Sequence, residues 1–275
     1  MNIPDNVSDR IEYIQKLFLR VEACVETVHD LDAVIELLEQ EATEFRSIAY
    51  ESASMIIGVK DLCNTNTLRT WKQFRDASSG RHSFHIDIGL GWAFAKTDKQ
   101  PNEFLNEAGD TVKGMVYDGI GYYHGLFKGR SVIKKKMIPA EIEDINGFDQ
   151  GLGRRLWYLT KGNIDHLLEL LNDFDEVRRG DLWRGAGIAC AYVGGNKTAA
   201  LQHLSNAAGA YKRQLELGIM LAAISRIASD STTEDVRTAL RIICGKTIEE
   251  LKTGGKVAVE FHYLYQSESN SGRLF

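Results

Sequence analysis

The chain has 275 residues, 44% hydrophobic and 26% charged, the composition of a globular protein able to bury a sizeable core. A net charge of −5 and a pI near 5.9 argue against broad adhesion to nucleic acid or to anionic membrane. Its oddity is 25 glycines against 3 prolines: few prolines suit helices, yet helices avoid glycine as well.

The N-terminus, MNIPDNVSDR, has neither a basic n-region nor an apolar h-region, so no secretory signal is expected. No apolar run approaches the roughly 18 residues of a membrane span. Cys24, Cys63, Cys190 and Cys244 are scattered among apolar residues and read as buried free thiols of a reducing cytoplasm. Within residues 6–30 the pattern predicts a helix capped by Ser8, with Ile11, Ile14, Leu17, Val21, Val25 and Val28 on one face.

From residue 45 to 245 a small-residue signature recurs ahead of apolar runs. It appears as SASMIIG at Ser52, GLGWAFA at Gly89, GIGYYHG at Gly119, GLGRRLW at Gly151, GAGIACA at Gly185 and GIMLAAI at Gly218. The intervals of 37, 30, 32, 34 and 33 residues match a two-helix repeat, which predicts about six such units. Second helices are expected after Pro101, after Asn163, after Asn196 and after Ser231-Thr232-Thr233, all residues suited to helix starts. Residues 246–266 are expected to form a C-terminal helix, although VAVEFHY within them alternates like a short strand. Residues 267–275 read as a flexible tail. The expected fold is all-α: one domain over 1–275, an array of antiparallel helical hairpins like an α-solenoid of tetratricopeptide repeats. Glycine at anchor positions i and i+2 would let neighbouring helices approach closely, which accounts for the composition.

Several motifs look chemical. GIGYYHG and GLGRRLW lack the spacing of dinucleotide and P-loop motifs. His82 and His85 with Asp87 resemble a metal site without the glutamate of HExxH, and read instead as a turn capping the next helix. No metal or other cofactor is expected. Lys128, Arg130 and Lys134 to Lys136 read as a solvated loop.

Stacking the anchors gives a sharper signal. One position before them stand Glu51, Ile88, Asp118, Gln150, Arg184 and Leu217; three after them stand Met55, Trp92, Tyr122, Arg154, Ile188 and Leu221. These two positions are four apart and share a helix face. The result is a strip of two carboxylates, two arginines, an amide and two aromatic rings, with Asp149, Asp181, His85, His124, Trp157 and Trp183 within a turn. On one reading the acids merely sit near helix N-termini, where the macrodipole favours them, and pair with arginine. On the other the strip lines a ligand site. There Glu51, Asp118, Arg154 and His124 are candidate catalytic residues, and Trp92, Tyr122, Trp157, Asp181, Trp183, Arg184 and His85 are candidate ligand contacts.

The segments YESASM, HIDIGLGWAFA, YDGIGYYHG, FDQGLGRRLWY and RRGDLWRGAGIACAYVGG resemble, in the same order, a largely uncharacterised bacterial family named for enediyne biosynthesis because members lie in such natural-product clusters. The resemblance runs from about Phe45 to Ile227, and GxGRxLW and DLWxGxGxACAYxGG are its most specific pieces. Ser52 departs from a motif that elsewhere tends to read YEGA. The resemblance implies a biosynthetic setting and no mechanism.

Two functions are expected from different classes. The first is a cytoplasmic protein that binds a small hydrophobic or polyketide-like ligand. If it is an enzyme, it is a cofactor-independent isomerase, cyclase or lyase in which Glu51 or Asp118 moves a proton and Arg154 stabilises negative charge. The alternative is a helical-repeat scaffold for a protein or peptide partner. Neither nucleic acid nor membrane is an expected partner.

Overall fold

The computed structural model describes residues 3–28, 30–78, 80–106 and 108–253. Among these the protein is all-helical, with no strand. The helices in chain order are α1 (Val7–Thr27), α2 (Leu31–Glu39), α3 (Arg46–Asn64), α4 (Arg69–Ala77), α5 (Ser83–Thr97), α6 (Asp110–Phe127) and α7 (Ile145–Thr160). There follow α8 (Ile164–Asn172), α9 (Glu176–Val193), α10 (Thr198–Ala207), α11 (Lys212–Ala228), α12 (Glu234–Ala239) and α13 (Ile248–Thr253).

The six anchors fall on α3, α5, α6, α7, α9 and α11, and the most extensive packing runs from each of these helices to the next. Successive members run parallel: Ser47 meets His82 near the two N-termini of α3 and α5, and Gly58 meets Ala93 near their C-terminal ends. Of the shorter helices, α4, α8 and α10 lie between them in sequence, α2 precedes the series and α12 follows it.

Glycine sets the spacing of this series. A Cβ on Gly89, Gly119, Gly151, Gly185 or Gly218 would lie 1.8 to 2.2 Å from a backbone carbonyl oxygen of the preceding helix. Those carbonyls belong to Glu51, Ile88, Asp118, Gln150 and Arg184, the residues just ahead of the previous anchor. The i+2 glycines face the other way. A Cβ on Gly91, Gly121, Gly153 or Gly187 would strike the carbonyl of Val116, Phe148, Leu182 or Leu215 in the following helix. No side chain fits in either place, so backbone rests on backbone. The two ends of the series break the pattern. Ser52 of α3 donates its hydroxyl to the Phe18 carbonyl of α1 at 2.8 Å, and Ser54 donates to Ile86 at 2.6 Å. On α11 the i+2 position is Met220, which has no further member to meet.

Buried arginines tie the ends together. Arg226 on α11 is wholly buried and donates to the carbonyls of Glu44, ahead of α3, of Tyr192 on α9, and of Ser231. Arg10 on α1 bonds the Val193 carbonyl, Glu44 and Asp235.

Several local expectations are corrected. Asn6, not Ser8, caps α1, accepting from the Asp9 amide. Asn163 caps α8 and Thr233 caps α12 as expected. Asn196 caps nothing: its amide donates to the Cys190 carbonyl, and α10 starts after Lys197 without a side-chain cap. Pro101 opens only a 3-10 turn, Pro101–Glu103, so no second helix separates α5 from α6. A π-helical turn, Arg130–Lys134, stands between α6 and α7 within the basic segment. His82 does not cap α5; its ring bonds Ser47 instead. No cysteine is paired, and Cys63 is exposed rather than buried. The helix expected over 246–266 is described only as α13, while its VAVEFHY segment and the tail 267–275 lie outside the described residues. No described helix is long and apolar enough to cross a membrane.

Gly151→Ala drives a methyl to 1.8 Å from the Asp118 oxygen and should destabilise the fold by about 3 kcal/mol or more in urea denaturation. Gly180→Ala on α9, where the nearest atom is 3.5 Å away, should be neutral or stabilise by up to about 1 kcal/mol.

Candidate functional site

The residue ahead of the anchor is buried on all six helices, and on the first five its carbonyl meets the glycine of the next helix. The polar members of that register form one connected chain. His85 Nδ1 on α5 lies 2.8 Å from Glu51 Oε2 on α3. Arg154 on α7 places Nη2 3.9 Å from Glu51 Oε1 and Nε 2.9 Å from Asp118 Oδ1 on α6. Gln150 donates its amide to Asp118 Oδ2 at 2.8 Å and accepts from Arg184 Nε at 2.7 Å. Arg184 then pairs with Asp181 at 2.6 Å on α9. All but Asp181 are at least nine-tenths buried.

Burial controls the titration of these groups. Desolvation raises the Asp118 carboxyl above its ordinary range despite the opposing pull of Arg154 and the Gln150 hydrogen bond. It lowers the His85 imidazole against the attraction of Glu51. A neutral His85 beside a carboxylate carries its proton on Nδ1, donates it to Glu51, and keeps Nε2 as an acceptor.

Two cavities adjoin this chain. The inner one, about 40 Å³, is lined by residues of all six anchor helices, among them His85, Asp118, Gln150 and Arg154. It has room for water beside polar partners. The outer cleft is about 500 Å³. Ile14, Phe18 and Leu19 of α1 form one wall; Met55, Trp92, Tyr122, Tyr123, Leu126 and Phe127 form the other. Glu51 and Arg154 are the charged groups deepest in it, and Glu22 and Lys96 pair across its rim at 3.0 Å. Ile48, Arg154 and Tyr158 line both spaces. The rings of Phe18, Trp92, Tyr122 and Tyr158 form a file with neighbouring centroids 4.8, 5.2 and 5.5 Å apart. The Arg154 guanidinium lies 5.1 Å from the Tyr122 ring, within cation–π range.

Of the candidate residues, Glu51, Trp92, Tyr122 and Arg154 line the outer cleft, while His85 and Asp118 line the inner cavity. Arg184 and Asp181 complete the polar chain. Three candidates lie elsewhere. His124 lines a separate hollow of about 90 Å³ with Asp98, Pro101 and Glu141, where burial pushes its imidazole down to about 4. Trp157 and Trp183 are core residues outside both cavities, with Trp157 wholly buried. Asp149 pairs with Arg178 and takes no part in the chain. Sequence reasoning missed Tyr158 and the α1 wall. The available signal was Phe18 and Leu19, which widen the apolar face of α1 beyond the stripe that its core requires. Among the described residues no group of three or more His, Cys, Asp or Glu side chains is placed to hold a metal ion.

One family model, described as a protein of unknown function (DUF1702), matches residues 2–261. No curated protein and no solved structure matches the chain.

Arg154→Met leaves Glu51 and Asp118 without their shared cation in a buried site, and should cost about 3–5 kcal/mol at pH 7. Without Arg154 the folded-state pKa of Asp118 rises further above its unfolded value. Stability dependent on a raised carboxyl is present at low pH and lost as pH rises through the folded pKa. The deficit relative to wild type should therefore shrink toward pH 5 in urea titrations; a deficit constant with pH would contradict the assignment.

Proposed function

Since the chain belongs to the family of unknown function whose model spans it, we propose on the geometry of its cleft that it binds an apolar small molecule and holds one polar end of it for acid–base chemistry. The observation that carries this reading is an aromatic-walled cleft of about 500 Å³ with a buried carboxylate and a buried guanidinium at its floor. That size, and that ratio of apolar wall to convergent polar groups, are typical of small-molecule sites. As an enzyme it would need no cofactor: Glu51 would accept a proton from the ligand, and Arg154 would stabilise the oxygen on which negative charge develops. Isomerisation, cyclisation and elimination all fit those two roles. Neutral His85, held by Glu51, would fix the carboxylate's orientation.

The proposal includes a setting in bacterial natural-product biosynthesis, for which the motif resemblance is the support, and a cytoplasmic location. It also includes the view that the six-helix series is a tetratricopeptide-like repeat array, supported by the repeated glycine register. A protein partner is the second reading, favoured by Leu19 and Phe127, which stand 64% and 62% exposed at the rim.

An apolar fluorophore should bind one per chain, and the double variant Leu19→Asp with Phe127→Asp should weaken it roughly tenfold, the loss of about 1.4 kcal/mol of apolar contact. Both positions are exposed, so circular dichroism and Tm should not change. Unchanged affinity in the folded double variant would overturn the cleft reading. A stoichiometric protein that co-purifies with wild type and is lost from the double variant would favour the second.

A further inference from the structure

We infer that the cleft takes a neutral molecule whose buried end both donates and accepts a hydrogen bond, as a hydroxyl, enol or amide does, and that it discriminates against the corresponding carboxylate and ammonium. The inference rests on the small-molecule reading and deepens it by naming the ligand's head group.

The charges that line the cleft already balance. Glu22 and Lys96 neutralise each other at the rim, which leaves Glu51 and Arg154 at the floor. Glu51 Oε1 and Arg154 Nη2 are 3.9 Å apart, too far for a direct hydrogen bond. Their separation suits an inserted oxygen that accepts from Nη2 and donates to Oε1. The other ends of both groups are engaged. Glu51 Oε2 receives His85 Nδ1, and Arg154 Nε faces Asp118 Oδ1 at 2.9 Å. What remains toward the floor is the Nη donors of Arg154 beside the Oε1 acceptor of Glu51.

A carboxylate placed there would accept from Arg154, but it would meet Glu51 at the same distance, with Asp118 behind the guanidinium. The Arg154 guanidinium already faces two carboxylates, those of Glu51 and Asp118. A further buried anion would have to share that one cation with both. An ammonium would satisfy Glu51 while facing Arg154 across the same gap. A hydroxyl or amide adds no charge and satisfies both groups. The Trp92 indole N–H, buried without a partner in the cleft wall, offers a further donor to a neutral oxygen and nothing to a cation.

The test is calorimetric titration of the full chain at pH 7 with 1-decanol, decanoate and decylammonium, each below its aggregation threshold. Decanol should bind saturably at one per chain, and decanoate and decylammonium at least tenfold more weakly. Glu51→Gln, which removes the repelling charge, should shift the decanoate-to-decanol affinity ratio toward decanoate by at least tenfold. Decanoate binding wild type as tightly as decanol, or no shift of the ratio in folded Glu51→Gln, would overturn the head-group inference and leave the cleft reading standing. Failure of all three probes to bind folded wild-type protein would overturn the cleft reading and this inference together. The wild-type comparison stands without any variant.

Discussion

The structure depends on contact between helix backbones. Ordinary helix pairs hold their axes 8–10 Å apart because side chains intervene. Along α5, α6, α7 and α9 glycine removes the side chain at two positions per helix, and a carbonyl oxygen of the neighbour takes the space. Each glycine gives up helix propensity of about 1 kcal/mol. Van der Waals contact and weak Cα–H···O interactions recover part of that loss. The greater consequence is geometric: a carbonyl seated on a glycine fixes both register and rotation of each helix against the next. Position i−1 is buried in every member.

That rotation explains how a polar chain comes to be buried. Glu51, Asp118, Gln150 and Arg184 are carried inward by the same residues' carbonyls that seat the glycines. A buried ion chain is a poor source of stability, since desolvating each charge offsets most of the attraction. Leu217 and Ile88 occupy equivalent places in the register with apolar side chains, so the fold does not require charge there. The polar groups cluster where the inner cavity meets the outer cleft, and Arg154 is the charged residue that lines both. Of the register residues, Glu51 lines the outer cleft, while Ile88, Asp118 and Gln150 line the inner cavity.

Much of this was written in the sequence because the glycines are periodic. The anchors located six helices, and the i−1 and i+3 positions identified Glu51, Trp92, Asp118, Tyr122, Arg154 and Arg184 as neighbours on one face. Local signals fared unevenly. Asn163 and Thr233 do cap, whereas Asn196 is drawn to the Cys190 carbonyl and Pro101 opens only a short turn. Such outcomes turn on tertiary partners that a short window does not contain. His124 stands two residues after Tyr122 and Trp183 one before Arg184, steps of about 200° and 100° that carry them to other faces of their helices; Trp157, three after Arg154, is wholly buried in the core. The α1 wall was hidden for a different reason. Its contribution comes from a helix outside the register, held there by the Ser52 hydroxyl and the Lys60 ammonium of α3, which donate to α1 carbonyls, and by packing on α3.

Arg226 joins the last member of the series to the segment ahead of the first, through carbonyls alone. An open array tolerates duplication or loss of a unit, because only neighbours touch. Here an added helix would part Arg226 from the Glu44 carbonyl and leave a fully buried guanidinium short of an acceptor. The same joint means that copy number is not a free evolutionary variable in this chain. Diversification has to proceed by substitution at the inward positions, and by changes in α1, rather than by lengthening.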